Sequence, residues 1–415
     1  MGRSKFWCIE LALALATTPA VAQHEGMGPM PEVAYPPFGS GTSWLPAVAP
    51  MSGFHFHASN WQVMVHGSVF TQFVQEFGPR GNYQLGSVNW MMGDASRPLA
   101  GGEFHARLMA SAEYFTVTRA GYPQLLQVSQ PYRGGTVTDR MHPHELFSEV
   151  AVMYDRRISG EWHGSAYLAA VGEPALGPVA YVHRPSATHD PTAPLGHHSQ
   201  DVTHESFGVA TLGVFTPKVH LEASVFNGAH PNEVRTNFDY NGARFNSFSA
   251  RVTVNPNDHW SIAGSAAYID PREHVPLHRL ELSALHVAGA WSTSFVWGAN
   301  VPTDTRRVLN TALLEANVDL DPRNAVFGRA EYVTRTADEL SLVGSVSEEV
   351  PVGAVALGYA RRLREVRGVG AWLGVRGDMD FVPEQLRLFY GSRTPVGFIV
   401  YLQLRPGPMM EPMNH

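Results

Sequence analysis

The chain has 415 residues, of which 44% are hydrophobic, 11% aromatic and only 16% charged, with a net charge of −7. That is enough apolar material for a large core and too much for a disordered chain. The only lysines are Lys5 and Lys218 and acidic residues outnumber basic ones, so no basic field exists for nucleic acid, while 39 Gly and 30 Pro without a collagen period exclude a long-helix bundle.

The N-terminus reads as an export signal. Arg3 and Lys5, the apolar stretch Leu11 to Ala16, and Ala20-Val21-Ala22 before Gln23 predict a cleaved signal peptide over residues 1–22. The apolar stretch is shorter than the ~20 residues of a helical membrane span. Cys8, the single cysteine, leaves with it, so the mature chain has no disulfide, thiolate nucleophile or cysteine metal ligand. Residues 23–58 are expected to form a periplasmic segment rich in Met, His and Pro, including His24, Met27, Met30, Met51, His55 and His57. Thioether and imidazole ligands suit Cu(I) capture; the plainer reading is a flexible tail that carries methionines.

From Trp61 onward no run of eighteen apolar residues occurs, so any membrane crossing must use strands. The sequence alternates with a period of two. In Phe248 to Asn255, apolar Phe248, Ala250, Val252 and Val254 oppose Ser249, Arg251, Thr253 and Asn255, and in Ala312 to Leu320 a similar face opposes Glu315, Asn317 and Asp319. Glu149 and Asp155, Glu222, Arg329 and Glu331 fall on polar faces of other runs in the same way. Short Pro or Gly turns, such as Asn255-Pro256-Asn257-Asp258 and Val287-Ala288-Gly289-Ala290, alternate with long connections near 118–145, 173–205, 228–245, 270–278, 302–309, 337–350 and 379–395. That pattern predicts an all-β fold: one antiparallel transmembrane β-barrel of about 16 strands (14–16) over residues 59–407, with short periplasmic turns and long outer loops. Its surroundings would be the outer-membrane lipid of a Gram-negative cell. Trp162, Trp260 and Trp291 each follow a short turn, where an interfacial aromatic girdle belongs. After the last run, Gly397 to Arg405, comes a short C-terminal tail, 408–415, with Met409, Met410, Met413 and His415.

Candidate chemistry lies in the loops. The two longest hold seven of the 20 histidines, clustered as Asp139-Arg140-Met141-His142-Pro143-His144-Glu145 and Gly196-His197-His198-Ser199-Gln200-Asp201-Val202-Thr203-His204, with His183 and His189 upstream. Imidazole with carboxylate suits copper or zinc, and the expected metal ligands are His142, His144, His198 and His204, with Asp139 or Asp201 as a fourth or supporting group. The alternative is that these histidines only hydrogen-bond within the barrel mouth. A hydrolase would need a Ser-His pair such as Ser148 with His144, or His220 with Glu222 as base and orienter; no Gly-x-Ser-x-Gly elbow or His-Glu-x-x-His accompanies them, and no catalytic residue is assigned. A barrel of ~16 strands holds an aqueous channel unless loops fill it, and two loops of about 30 residues are long enough to fold inward.

The stretches Asp139 to Glu145, Gly172-Glu173-Pro174-Ala175-Leu176-Gly177-Pro178-Val179, Gly196 to His204 and Phe226-Asn227-Gly228 resemble those of a family of uncharacterised bacterial outer-membrane β-barrels often found among copper and heavy-metal resistance genes. The resemblance covers most of the chain from Asn60 to Gly407 and implies a barrel in a metal-efflux setting, without a residue-level activity. The expected function is a porin-like channel or a metal-responsive surface protein that handles copper or another divalent metal ion, or a small solute; a surface hydrolase and an adhesive barrel are the rivals.

Overall fold

The computed structural model describes residues 36–240, 244–272, 274–342 and 348–407. The expected signal peptide and the C-terminal tail, with their methionines and histidines, lie outside the described residues. Sixteen antiparallel strands form a closed barrel: β1 Trp61–Glu76, β2 Tyr83–Leu99, β3 Gly102–Ala110, β4 Phe147–Ser159, β5 Trp162–Gly172, β6 Ser206–Phe215, β7 Val219–Phe226, β8 Ser247–Val254, β9 Trp260–Ile269, β10 Leu277–Ala288, β11 Trp291–Pro302, β12 Leu309–Asp321, β13 Asn324–Thr336, β14 Glu349–Val366, β15 Val369–Phe381 and β16 Val396–Pro406. Each strand pairs with its neighbour in sequence, and β16 returns to β1 over Val69↔Leu404 to Glu76↔Gly397, so the barrel has no open edge. A further short strand, Phe54–Ala58, folds back onto the start of β1.

The alternation decides which face meets lipid. Along β8, Ser249, Arg251 and Thr253 are buried in the lumen while Phe248, Ala250 and Val252 are exposed. Leu85, Leu212 and Leu357 are about 70% exposed, each flanked by buried or half-buried inward residues, as lipid-facing positions require. Trp162, Trp260 and Trp291 lie exposed at the first residue of their strands, beside the short turns. At the turn 367–368, Arg367 and Gly368 both take positive φ, 51° and 77°, which closes a two-residue hairpin with the right twist.

The lumen is not an open pore. The connection 173–205 lies inside it and is buried almost end to end. Asp190 accepts ion pairs from Arg329 on β13 at 3.5 Å and Arg376 on β15 at 3.3 Å; Arg184 reaches Glu315 on β12 at 3.1 Å; His189 meets Gln403 on β16 at 2.7 Å. The sequence separations of these contacts cross the whole barrel, so the loop is a strut and not a surface excursion. Tyr181 and Ala193 of this loop join Phe70, Ile399 and Tyr401 of the wall in an apolar cluster within the lumen.

Residues 36–53 enter from the other end. The Gly41 carbonyl accepts from Arg107, Thr42 Oγ1 from Arg251 at 3.0 Å, the Trp44 carbonyl from Ser261 at 3.0 Å and the Leu45 carbonyl from Asn255 at 2.9 Å. Leu45 and Ala49 pack with Val179 of the inner loop and with Leu285 and Val287 of β10. The part of the N-terminal segment that is described is therefore a plug seated in the barrel. Carbonyls that a tail would leave to water are taken by lumen-facing polar side chains, which is what a buried loop needs.

Candidate functional site

The connection 111–146 and the end of the connection 173–205 meet at the outer end of the lumen. His144 precedes β4 and Glu205 precedes β6, so both sit where a strand leaves the barrel wall. One ligating atom from each of His144, His204 and Glu205 lies within 4.8 Å of the others, and all three residues are buried.

Both imidazoles are held in a defined orientation. The Glu113 carboxylate accepts from His144 Nδ1 at 2.9 Å, and also from the His144 backbone N–H at 3.0 Å. The Asp201 carbonyl accepts from His204 Nδ1 at 2.5 Å. With Nδ1 engaged, Nε2 is the atom each ring can offer, and His204 Nε2 is a buried nitrogen without a hydrogen-bond partner. A second partner that fixes the ring and its tautomer is the usual support of a metal-binding histidine. A cavity of about 10 Å³ abuts His204, bounded also by Ser148, Glu149, Glu173 and His183. That is near the smallest volume that holds one water-sized particle.

The electrostatics are divided. Burial alone would lower the His144 imidazole, but the Glu113 carboxylate outweighs it and raises it to about 9. Burial lowers His204 below the usual imidazole range despite Glu205 beside it. Burial would raise Glu205, yet His144, His204 and the Ser148 hydroxyl bring it below the usual carboxylate range. One charged imidazole, one neutral one and a carboxylate therefore share the site, and His204 is the ready ligand.

The other expected ligands stand nearby or elsewhere. His142 and His198 face each other with ring centroids 5.3 Å apart, next to the triad and not within it. The Pro143 carbonyl accepts from His142 Nδ1 at 2.9 Å, and Gln130 donates to His198 Nε2 at 2.7 Å. His197, which the sequence did not single out, links the two groups: its ring lies 5.3 Å from that of His198 and 5.1 Å from that of His204. Asp201 turns its carboxylate to His197 at 2.5 Å and to Arg184 at 3.6 Å, contributing only its carbonyl to His204. Asp139 is not at the site: it is buried against Arg80 at 2.8 Å, the Tyr390 hydroxyl at 3.0 Å and the Leu126 N–H at 2.7 Å. Its positive φ of 58° turns the chain away just before His142. Glu113 and Glu205 were missed; the only signal for Glu205 is that it follows His204 directly.

Of the two pairs a hydrolase would need, the Ser148–His144 pair does not form, whereas His220 and Glu222 do meet, within the seat of the N-terminal plug. Ser148 Oγ donates to Glu205 at 2.6 Å and not to a histidine, while His220, 3.5 Å from Glu222, lies under the Trp44 ring. A second cluster, Glu76, Asp378 and Asp380, lies at the outer ends of β1 and β15 beside Arg376.

A closed sixteen-strand barrel with an apolar outer face, a polar lumen and long loops at one end is a porin-like outer-membrane barrel. Solved structures bear this out at the level of fold. The anion-selective porin from Comamonas acidovorans matches with a TM-score of 0.52 and 11% identity over 83% of this chain and 99% of that one. OmpF of Salmonella typhi, in complex with daunomycin, gives 0.52 and 8% over 85% and 100%, and a loop L8 deletion mutant of OmpT, an outer membrane protein of Vibrio cholerae, gives 0.50 and 7% over 84% and 100%. No protein-family model matches the chain. No curated protein matches it in sequence either.

Proposed function

We propose that the chain is a porin-like barrel, closed by its own inner loop and N-terminal plug, that binds a divalent transition metal, copper or zinc, at His144, His204 and Glu205. The observation that carries this reading is the convergence of two oriented imidazoles and a carboxylate from two different loops. Two nitrogens and one oxygen form a ligand set that both metals accept, with the Nε2 proton of His144 released as the ion binds. Because His144 belongs to 111–146 and His204 with Glu205 to 173–205, a bound ion ties the two loops together across the lumen and stabilises the closed state by mass action.

The test is a titration of the barrel purified from outer membranes with Cu(II) or Zn(II) against a chromophoric competitor, beside planar-bilayer conductance with and without the metal. The expected result is one ion per chain, lost in His144→Ala/His204→Ala, with conductance that changes on adding metal only in the parent protein. Steady conductance that ignores both metals, with no stoichiometric binding, would discard the metal reading and leave a channel for small solutes.

A further inference from the structure

We infer that the outer mouth carries a second binding site, for a small oxyanion bearing carboxylate or phosphate groups, between the connections 111–146 and 227–246. A cavity of about 130 Å³ opens there, lined by Tyr114, Arg119, Tyr132, Arg133 and Arg140 on one side and Glu233 to Arg235 on the other, with His142 among its lining.

Two of the arginines are laid on aromatic walls. The guanidinium carbon of Arg119 lies 5.0 Å from the Tyr114 ring centre, and that of Arg133 5.3 Å from the Tyr132 ring centre. Such stacking fixes a guanidinium without consuming its N–H donors. Among the described residues neither Arg119 nor Arg133 has a carboxylate partner for its guanidinium. The other two are partly spoken for: Arg140 donates to the Gly121 carbonyl at 2.6 Å and the Thr118 hydroxyl at 3.3 Å, and Arg235 pairs with Glu145 at 2.7 Å. Glu233 is the carboxylate on the wall, and it accepts the Arg133 backbone N–H at 3.0 Å, where Arg133 takes a positive φ of 50°. Arg133 and Gly134, at φ 50° and 76°, form the two-residue turn between the short paired strands Gln130–Tyr132 and Gly135–Val137, which places Arg133 at the tip of a hairpin on the cavity wall.

The charge balance points the same way. Four arginines face Glu233, and with Glu145 set against Arg235 an excess of two positive charges remains, in a chain whose net charge is −7. Planar guanidinium forks match the paired oxygens of carboxylate and phosphate. The cavity has room for a ligand of several heavy atoms, not for an ion alone. The site goes beyond the metal reading and stands without it.

The experiment is isothermal titration calorimetry of citrate, and separately of inorganic phosphate, into the metal-stripped barrel purified from outer membranes, in a low-salt chloride buffer. One-to-one binding of either anion is expected; citrate alone would assign carboxylates and phosphate alone would assign phosphates. Arg119→Ala/Arg133→Ala should weaken that binding at least tenfold, and Arg119→Lys/Arg133→Lys, which keeps the charge and loses the fork, should fall between. His144→Ala/His204→Ala should bind the anion like the parent, which separates this site from the metal site. Absence of heat with both anions at millimolar concentration, or unchanged affinity in the double alanine variant, overturns the inference.

Discussion

Trp44 lies flat against His220, with ring centroids 4.8 Å apart and planes 24° from parallel, while Phe215 meets the same indole edge-on at 5.9 Å. The indole, 2% exposed, is the largest side chain that the N-terminal plug inserts into the barrel. Burying such a ring is worth about 3–5 kcal/mol, and its loss falls on the seating of residues 36–53, because the strand ladder does not depend on it. In Trp44→Ala the barrel should stay heat-modifiable on gels, while the plug becomes open to protease and single-channel conductance rises. Protection and conductance equal to the parent's would show that the segment is held without this stack.

Asp190 is the point where the inner loop is pinned to two strands. Replacing it by alanine takes a buried carboxylate from Arg329 and Arg376, which keep Glu315 at 2.6 Å and Asp378 at 2.6 Å. Breaking a buried ion pair costs about 3–5 kcal/mol, and the surviving partners set the expectation at the low end. Calorimetric unfolding in detergent should show a lower transition for Asp190→Ala, and Asp190→Asn should lose less because it still accepts the Thr192 N–H.

The inner loop also carries an acid sensitivity. Burial, with Arg405 nearby, pushes the His189 imidazole down to about 3, and burial pushes His183 well below its usual range. The unfolded loop takes up protons below pH 6.5 that the folded loop refuses, so this stability is complete above pH 6.5 and is lost as pH falls toward 3. Amide-exchange protection of residues 183–195, corrected for intrinsic rate, should be lower at pH 4.5 than at 7.5. In His189→Gln that difference should shrink, with His183 supplying what is left.

For the metal reading, the informative residue is one that touches no metal. Glu113 orients His144, and removal of such a partner typically weakens binding 10–100-fold. Glu113→Gln should therefore cost more affinity in the competitor titration than His142→Ala or His198→Ala. The opposite ranking would move the ligand set to the His142–His198 pair.

The lipid face gives a test of register. Leu357 lies mid-strand on β14 and is 68% exposed. An arginine there meets hydrocarbon and should destabilise the folded barrel by about 2–4 kcal/mol in bilayer refolding, far more than the same change at Leu388 in the loop 382–395.

The wall was legible in the sequence because its cause is local: a residue's place in a two-residue repeat decides whether it meets lipid or lumen, and Arg251 or Val252 can be assigned from their immediate neighbours alone. The short turns were legible for the same reason. The plug was not, since Trp44 and Leu45 show no period and the side chains that bond their carbonyls, Ser261 and Asn255, stand more than 200 positions away. The metal site was half legible. His144 and His204 share loops crowded with imidazole, whereas Glu113 joins them only because 111–146 folds back on itself. Asp139 misled through proximity in sequence, which the left-handed backbone at that residue undoes.

The anchoring of Gly41 to Leu45 has a consequence for assembly. These residues precede the barrel in the chain, yet of the groups that hold them only Arg107, on β3, comes early; Arg251, Asn255 and Ser261 sit on or beside β8 and β9. Its seat is complete only once the middle of the barrel exists, so the first part of the described chain to be synthesised has to wait for residues more than 200 positions later. Contacts of such long sequence separation form late and slowly, so seating of the plug depends on strands that are made well after it.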